Sequence, residues 1–364
     1  MASDLATSSH LRRRGICVDT STFPFSAGGP ALRSSTGPLI VIISFIVLVG
    51  CGQPAREVKP EQKGSSMETF DGRSVIANNA FFYYADLEAA WRFYGEILGL
   101  ETVADFGFAK ILQIAESSYL TLVDAEAGMH TADEPKTVAV ALITDQLDEW
   151  HGYLEKQGVD MKFGYNPKPG RPHDGFVVVD PEGYYLEFER FNHHPENERL
   201  MPILDALESV YPAPDAATNR PSGLGIKATI LWLYTNDVEA MREFYESVFG
   251  FELTVDQGWA KILATSPTGF IGPVDSARGM HSWTEKKGVT VSFVTDHIDA
   301  WFEHLEDQPA FELRHPEIVE ERRAGARVFV GYDPDGYFIE FDQFFQAEGN
   351  KDLIESLTTS EEGR

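Results

Sequence analysis

DPEGYYLEF at residues 180–188 is written again as DPDGYFIEF at residues 333–341. In each, Asp-Pro-x-Gly supplies turn chemistry, with Pro at the second position and Gly at the fourth. An apolar, aromatic strand follows, interrupted by one carboxylate, Glu187 or Glu340. Strand side chains alternate, so Glu187 shares a face with Tyr185 and Glu189, opposite Tyr184, Leu186 and Phe188. In the second segment Phe338, Glu340 and Asp342 share a face, opposite Tyr337, Ile339 and Phe341. The apolar sets belong against helices, so the carboxylates are expected to look into a hollow.

The repeat extends well beyond this segment. WRFYGEILGLE (91–101) matches REFYESVFGFE (242–252), GFAKIL (107–112) matches GWAKIL (258–263), and GMH recurs at 128–130 and 279–281. The offset is 151 residues and widens to 153 at the DPxG segment through a small insertion. Each copy is itself twofold, because Asp86 and Asp145 lie 59 residues apart, as do Asp237 and Asp296. Every one of these Asp residues follows an apolar run and precedes a helical pattern, and reads as an N-cap. Leu87, Ala90, Trp91, Tyr94 and Leu98 recur at helical spacing in the first; Val238, Met241, Tyr245 and Phe249 do so in its counterpart. Gly99, Gly158 and Gly250 stand where helices should stop. Short alternating runs follow each helix, so the unit is strand–helix–three strands, used four times.

The expected class is α+β: two tandem domains, each of two βαβββ modules forming a curved mixed sheet with a concave cleft. The expected boundaries are 74–195 and 226–347, joined by a linker with an amphipathic helix at 196–225. A short helix and acidic tail follow at 348–364. Two such domains can pair within one chain, so no oligomer is required.

Upstream, residues 39–50 (LIVIISFIVLVG) form an apolar run shorter than the about 20 residues that span a bilayer as a helix. Arg12, Arg13, Arg14 and Arg33 precede it, as in an export signal. The run ends in Leu48-Val49-Gly50-Cys51, which resembles the lipobox of bacterial lipoproteins. That resemblance implies cleavage before Cys51, lipidation of its thiol, and a periplasm-facing anchor in the cell envelope. Residues 51–73 then read as a flexible tether. Cys17 is the only other cysteine, so cleavage would leave no partner for a disulfide.

The chain carries 30 Lys+Arg against 57 Asp+Glu, a formal net charge of −27. Phosphate-backbone binding needs a basic stripe, so nucleic acid is excluded as a partner.

With D-(x)6-FY near the start of each copy and DPxG-(x)3-E closing it, the organisation resembles the vicinal oxygen chelate superfamily. That group comprises glyoxalases, bleomycin-resistance proteins and extradiol dioxygenases. The resemblance implies one divalent ion in the cleft, held by His, Gln or Glu and acting as a Lewis acid. Its ligand slots fall on Asn79 and Val138 in copy one and on Ile230 and Val289 in copy two. The fourth-strand slots fall near Thr121 and Gly272, and the last-strand slots on Glu187 and Glu340. Only the last keep a ligand type, whereas typical sites need about three or more protein ligands.

His130 and His281, in the two GMH segments, are the residues that could rebuild such a site with a Glu; the plainer reading makes each GMH a turn. His173 is a candidate in copy one alone, since its counterpart is Ala326. Asn79, Phe81, Tyr83, Trp232 and Tyr234 are expected on the cleft face with Tyr185, Glu187, Phe338 and Glu340. Aromatic lining with acids suits a flat or cationic small molecule; the same aromatics would serve equally as core between the copies. Lys110 and Lys261 could pair with the two Glu residues.

Three functions follow: a small-molecule-binding protein of the glyoxalase/bleomycin-resistance kind; a lyase, isomerase or dioxygenase on a rebuilt Fe, Mn, Zn or Ni site; or an envelope scaffold.

Overall fold

The computed structural model describes residues 75–214 and 216–362. The export signal, tether and Cys51 lie outside these residues. Module one comprises β1 (Val75–Tyr84), α1 (Leu87–Trp91, continued as a π-helical turn Arg92–Ile97), β2 (Glu101–Asp105), β3 (Ala109–Ala115) and β4 (Ser118–Asp124). Module two comprises β5 (Val138–Ile143), α2 (Leu147–Gln157), β6 (Asp160–Phe163), β7 (His173–Val179) and β8 (Tyr185–Phe191), and is followed by the short helix α3 (Met201–Ala206). Module three runs through β9 (Ala228–Thr235), α4 (Val238–Ser247), β10 (Glu252–Asp256), β11 (Lys261–Ala264) and β12 (Gly269–Asp275). Module four holds β13 (Val289–Thr295), α5 (Ile298–Leu305), β14 (Glu312–Leu313), β15 (Val319–Glu321), β16 (Ala326–Tyr332) and β17 (Phe338–Phe344), before the last helix α6 (Lys351–Glu362). The shift of the repeat offset falls between α5 and β16, where the second copy adds β15 against β16.

Two mixed sheets result, each from two βαβββ modules, but the modules combine across the copies. One sheet is ordered β14-β16-β17-β13-β1-β4-β3-β2, joining modules one and four; the other is ordered β10-β11-β12-β9-β5-β8-β7-β6, joining modules two and three. The seams are antiparallel, with Asn79 opposite Ser292 between β1 and β13, and Ala141 opposite Ile230 between β5 and β9. Residues 74–195 and 226–347 are thus sequence repeats that share both sheets. The physical reason is that duplicated modules present equivalent first-strand edges, and exchange between equivalent edges costs little. The crossings are made by residues 125–137 and 276–288, the segments that carry GMH.

The repeated motifs prove to be parts of one joint. Asp180 accepts hydrogen bonds from the hydroxyls of Tyr84 (2.6 Å) and Tyr94 (3.0 Å) and from the N–H groups of Glu182, Gly183 and Tyr184. Asp333 likewise takes the Tyr245 hydroxyl at 2.8 Å and the N–H of Tyr337. The Tyr of the FY pair therefore reaches the Asp of DPxG, which ties the first helix of a copy to its last hairpin. Gly183 (φ 101°) and Gly336 (φ 83°) close these turns in the left-handed region that glycine adopts without a Cβ penalty.

A continuous core covers the helix-facing sides of both sheets, including Phe82, Tyr84 and Phe341 of one and Val140, Phe188 and Leu233 of the other, with Trp150 and Trp301 fully buried. Two of the four expected N-caps are present: Asp86 accepts the N–H of Ala89 at 2.9 Å and Asp237 that of Ala240 at 3.0 Å. The other two are corrected. Helix α2 starts from Gln146 and α5 from His297, neither with a side-chain cap, while Asp145 instead pairs with Lys227 at 2.5 Å. Among the described residues no helix is long and apolar enough to cross a membrane.

Candidate functional site: two aromatic clefts closed by carboxyl pairs

Among the described residues each sheet carries a cavity built from both copies. The first, of about 340 Å³, lies on the sheet of modules one and four between Phe81, Tyr83, Phe106 and Phe108 on one side and Glu340 and Asp342 on the other. Because β1 lies beside β13 and β13 beside β17, Glu340 of copy two faces the aromatics of copy one. Glu340 and Asp342 share a hydrogen bond, and Ser292 Oγ donates to Asp342 Oδ2 at 2.5 Å. The Tyr83 hydroxyl is 2.6 Å from Thr290 Oγ1. Burial is the main cause that drives both acids toward the neutral form. Glu340 rises well above the usual carboxylate range, helped by the charge of Asp342; Asp342 rises to about 6, with Ser292 opposing the shift.

The second cavity, of about 240 Å³, is bounded by Trp232, Tyr234 and Trp259 of copy two and by Glu187, Glu189 and His173 of copy one. His173 Nδ1 stands 2.5 Å from Glu189 Oε1. That carboxylate raises His173 to about 9, chiefly by its charge. Glu187 is pushed up to about 8, first by burial and then by Glu189, against the opposing influence of His173 and the Trp232 N–H. Near neutral pH this cleft therefore presents a charged His173 against Glu189, beside a protonated Glu187.

Of the residues expected in the clefts, Glu187, Glu340, Phe81, Tyr83, Trp232 and Tyr234 line the cavities. The others are not among the lining residues. Asn79 donates from Nδ2 to Thr121 Oγ1 at 2.8 Å, Tyr185 stacks on His281 with centroids 4.3 Å apart, and Phe338 packs against His130 at 5.7 Å. The GMH segments are structural as well as repeated. Gly128 lies under the Tyr83 ring and Gly279 under that of Tyr234, where a Cβ would come within 2.5 Å of either ring. His130 and His281 stand edge-on to the same two tyrosines, each at 5.0 Å. Met129, for which a turn reading places Met inside, is 48% exposed.

These residues do not make the ion cage that the resemblance implies. Val138, Val289 and Ile230 are buried and offer no lone pair, and Ile230 packs with Leu200, Met201 and Leu204 around α3. The fourth-strand slot at Gly272 is filled by the Trp232 indole, which a Cβ there would meet at 2.2 Å. His130 Nδ1 is committed to Glu134 at 2.7 Å. Burial lowers His130, and lowers His281 to about 4 with help from Lys162. Among the described residues no group of three or more His, Cys, Asp or Glu is arranged to hold a metal.

Lys110 and Lys261 are also corrected. Each pairs at 2.5 Å with an Asp in its own hairpin, Asp105 or Asp256, rather than with the cleft acids. His173, the candidate in copy one alone, lines one cleft, and His315, for which sequence reading predicts no role, lines the other. Sequence reading missed Thr290 and Ser292, whose small hydroxyls on β13 carried no signal, and gave no role to Trp259. It did place Glu189 and Asp342 on the faces of Glu187 and Glu340, and that spacing of two was the usable signal.

Residues 76–188 and 226–341 match the model of the Glyoxalase/Bleomycin resistance protein/Dioxygenase superfamily. A putative dioxygenase from Bacillus subtilis is similar in structure, with 12% identity and a TM-score of 0.56 over 80% of this chain and 97% of that one. Glyoxalase I from Zea mays is similar with 14% identity and a TM-score of 0.50, over 79% of this chain and 96% of its own. At these identities the likeness concerns the fold. Comparison with curated proteins returns no match.

Proposed function

The chain belongs to the glyoxalase/bleomycin resistance protein/dioxygenase superfamily, and within it we propose a small-molecule-binding protein whose two aromatic clefts work without the His-based ion site. One observation carries the reading. In each cleft a carboxyl pair on the last strand, half-buried Glu187 with buried Glu189 or half-buried Glu340 with buried Asp342, faces aromatics from the first strand of the other copy. A carboxyl held neutral by burial is a poor ligand for a hard cation. It is a good hydrogen-bond donor and, on losing its proton, a counter-charge for an organic cation. Aromatic faces supply stacking area and attract cations through their quadrupoles. The occupant is accordingly a small aromatic or cationic molecule.

Metal analysis of the purified chain from residue 52 onward, followed by thermal shift with aromatic amines, tests this. No stoichiometric metal, together with a ligand-dependent shift that Trp232→Ala or Tyr83→Ala removes, is the expected result. Stoichiometric Fe, Mn, Zn or Ni that is lost in Glu340→Ala or Glu187→Ala would replace the reading with a metal-dependent lyase, isomerase or dioxygenase. A flat response to both would leave an envelope scaffold.

Export and anchoring through a lipidated Cys51, on the periplasmic side of a bacterial envelope, belong to the same proposal. The apolar run of residues 39–50 followed by Cys51 supports it. Metabolic labelling with an alkyne fatty acid should tag the wild-type chain and leave Cys51→Ser untagged; label retained in that variant would refute the anchor.

A further inference from the structure

The two clefts are related by the chain's own repeat, so a difference between them is a difference in what each can accept. The last-strand residues correspond at the offset of 153: Glu187 with Glu340, and Glu189 with Asp342. The strand beside them also corresponds, since His173 lies opposite Phe191 and Ala326 opposite Phe344. His173 meets Glu189 at 2.5 Å in one cleft; in the other its place is taken by the methyl group of Ala326, which lines the cavity. One acid pair therefore has an imidazole in contact with it, and its counterpart has a methyl group at that position.

We propose that the clefts have diverged in charge selectivity, and that the one closed by Glu340 and Asp342 takes a monovalent aromatic or quaternary ammonium cation while the one closed by Glu187 does not. This rests on the small-molecule reading above and adds which cleft takes which class. Four aromatic rings, Phe81, Tyr83, Phe106 and Phe108, face the acid pair across the first cavity. Both linings accept a cation at the edge, Arg323 at 3.6 Å from the Phe108 centroid here and Arg278 at 4.9 Å from that of Trp259 in the other cleft, so the clefts differ in what stands beside the acid pair. Arg323 does not neutralise the acids, for among the described residues its side chain forms no ion pair with Glu340, Asp342 or Glu321. A cation entering deeper would be desolvated among the rings and compensated by the pair, where such contacts gain most.

Charge balance sets a second signature. The groups facing Glu340 are Asp342 on its own strand, Glu321 from β15 and Tyr83 from β1, with His315 and Arg323 at the mouth. Below pH 6 burial keeps the Glu340–Asp342 pair protonated when empty. Entry of one positive charge expels one proton to solvent as the pair becomes a carboxylate. In the other cleft Glu187 could lose a proton likewise, but the charged His173 repels an entering cation.

Calorimetric titration of the chain with benzyltrimethylammonium, and with its neutral carbon isostere neopentylbenzene, tests the assignment at pH 5. The cation should bind at least about tenfold tighter than the isostere. It should release about one proton, read from the dependence of the heat on buffer ionisation. Tryptophan fluorescence should not change, because Trp232 and Trp259 line only the other cavity. Ala326→His, which sets an imidazole beside Asp342, should abolish the preference, as should Glu340→Gln. Conversely, His173→Ala should let the cation into the other cleft and alter tryptophan fluorescence. Equal affinity for the two probes in the wild type overturns the charge assignment and leaves the small-molecule reading standing. An undiminished preference in Ala326→His and Glu340→Gln overturns it too, and binding of neither probe removes both readings.

Discussion

Tyr184, in the first copy, donates its hydroxyl to the main-chain oxygen of Gly288, in the second, at 2.5 Å. The same hydroxyl accepts the N–H of Tyr83 at 2.9 Å. Tyr337 repeats the arrangement, accepting the N–H of Tyr234 at 2.7 Å and donating to the Thr137 carbonyl at 2.8 Å. Gly288 and Thr137 end the two crossing segments, so these tyrosines clasp the strands that pass between sheets.

Removing one hydroxyl leaves a buried N–H and a buried carbonyl short of a partner. Tyr184→Phe and Tyr337→Phe should each cost about 1–3 kcal/mol in denaturant unfolding, with the slope unchanged. A loss below about 0.3 kcal/mol in both would show that the clasp is incidental.

Because each sheet draws on both copies, neither copy should fold as a monomer. Residues 74–195 expressed alone would leave the long apolar edges of β1 and β5 without the partners β13 and β9, a recipe for aggregation or exchange. Size-exclusion chromatography should show aggregate or dimer for either half and a one-to-one complex on coexpression. A well-dispersed monomeric spectrum from one half would contradict the exchanged topology.

The Glu187 carboxyl binds its proton more tightly in the folded state, with a pKa of about 8, than at its ordinary value of 4.5. Its contribution is fully present below pH 4.5 and is lost as pH rises through 8. His173, raised to about 9 by Glu189, has the same sign, while His281, lowered to about 4, has the opposite sign below pH 6.5. Subtracting Glu187→Gln from wild type isolates the first group. The stability of Glu187→Gln relative to wild type should rise between pH 4.5 and 8 and level off above; a flat difference would place an ordinary carboxyl at 187.

Gly272→Ala tests the filled ligand slot. A methyl group 2.2 Å from the Trp232 ring must displace the indole. Overpacking of this kind costs about 1–3 kcal/mol, and the variant should also shift tryptophan emission. An unchanged spectrum and unfolding midpoint would mean that the indole does not occupy the slot.

Local pattern alone determined a good deal of this protein. The duplication, the βαβββ unit, the turn role of DPxG and the faces of Glu187 and Glu340 follow from spacing, because strand alternation and helical periodicity act within a few residues. The loss of ligand types from Asn79, Val138, Ile230 and Val289 was equally legible, since it concerns identity. What spacing could not reveal is which module meets which. Near-equivalent strand edges have near-equivalent pairing energies, and the choice is made by crossing segments 125–137 and 276–288 and by the tyrosine clasps that hold them. Only the tertiary structure therefore decided that Glu340 looks at Tyr83 rather than Trp232, and that His173 reaches Glu189 while Asp342 has a methyl group beside it.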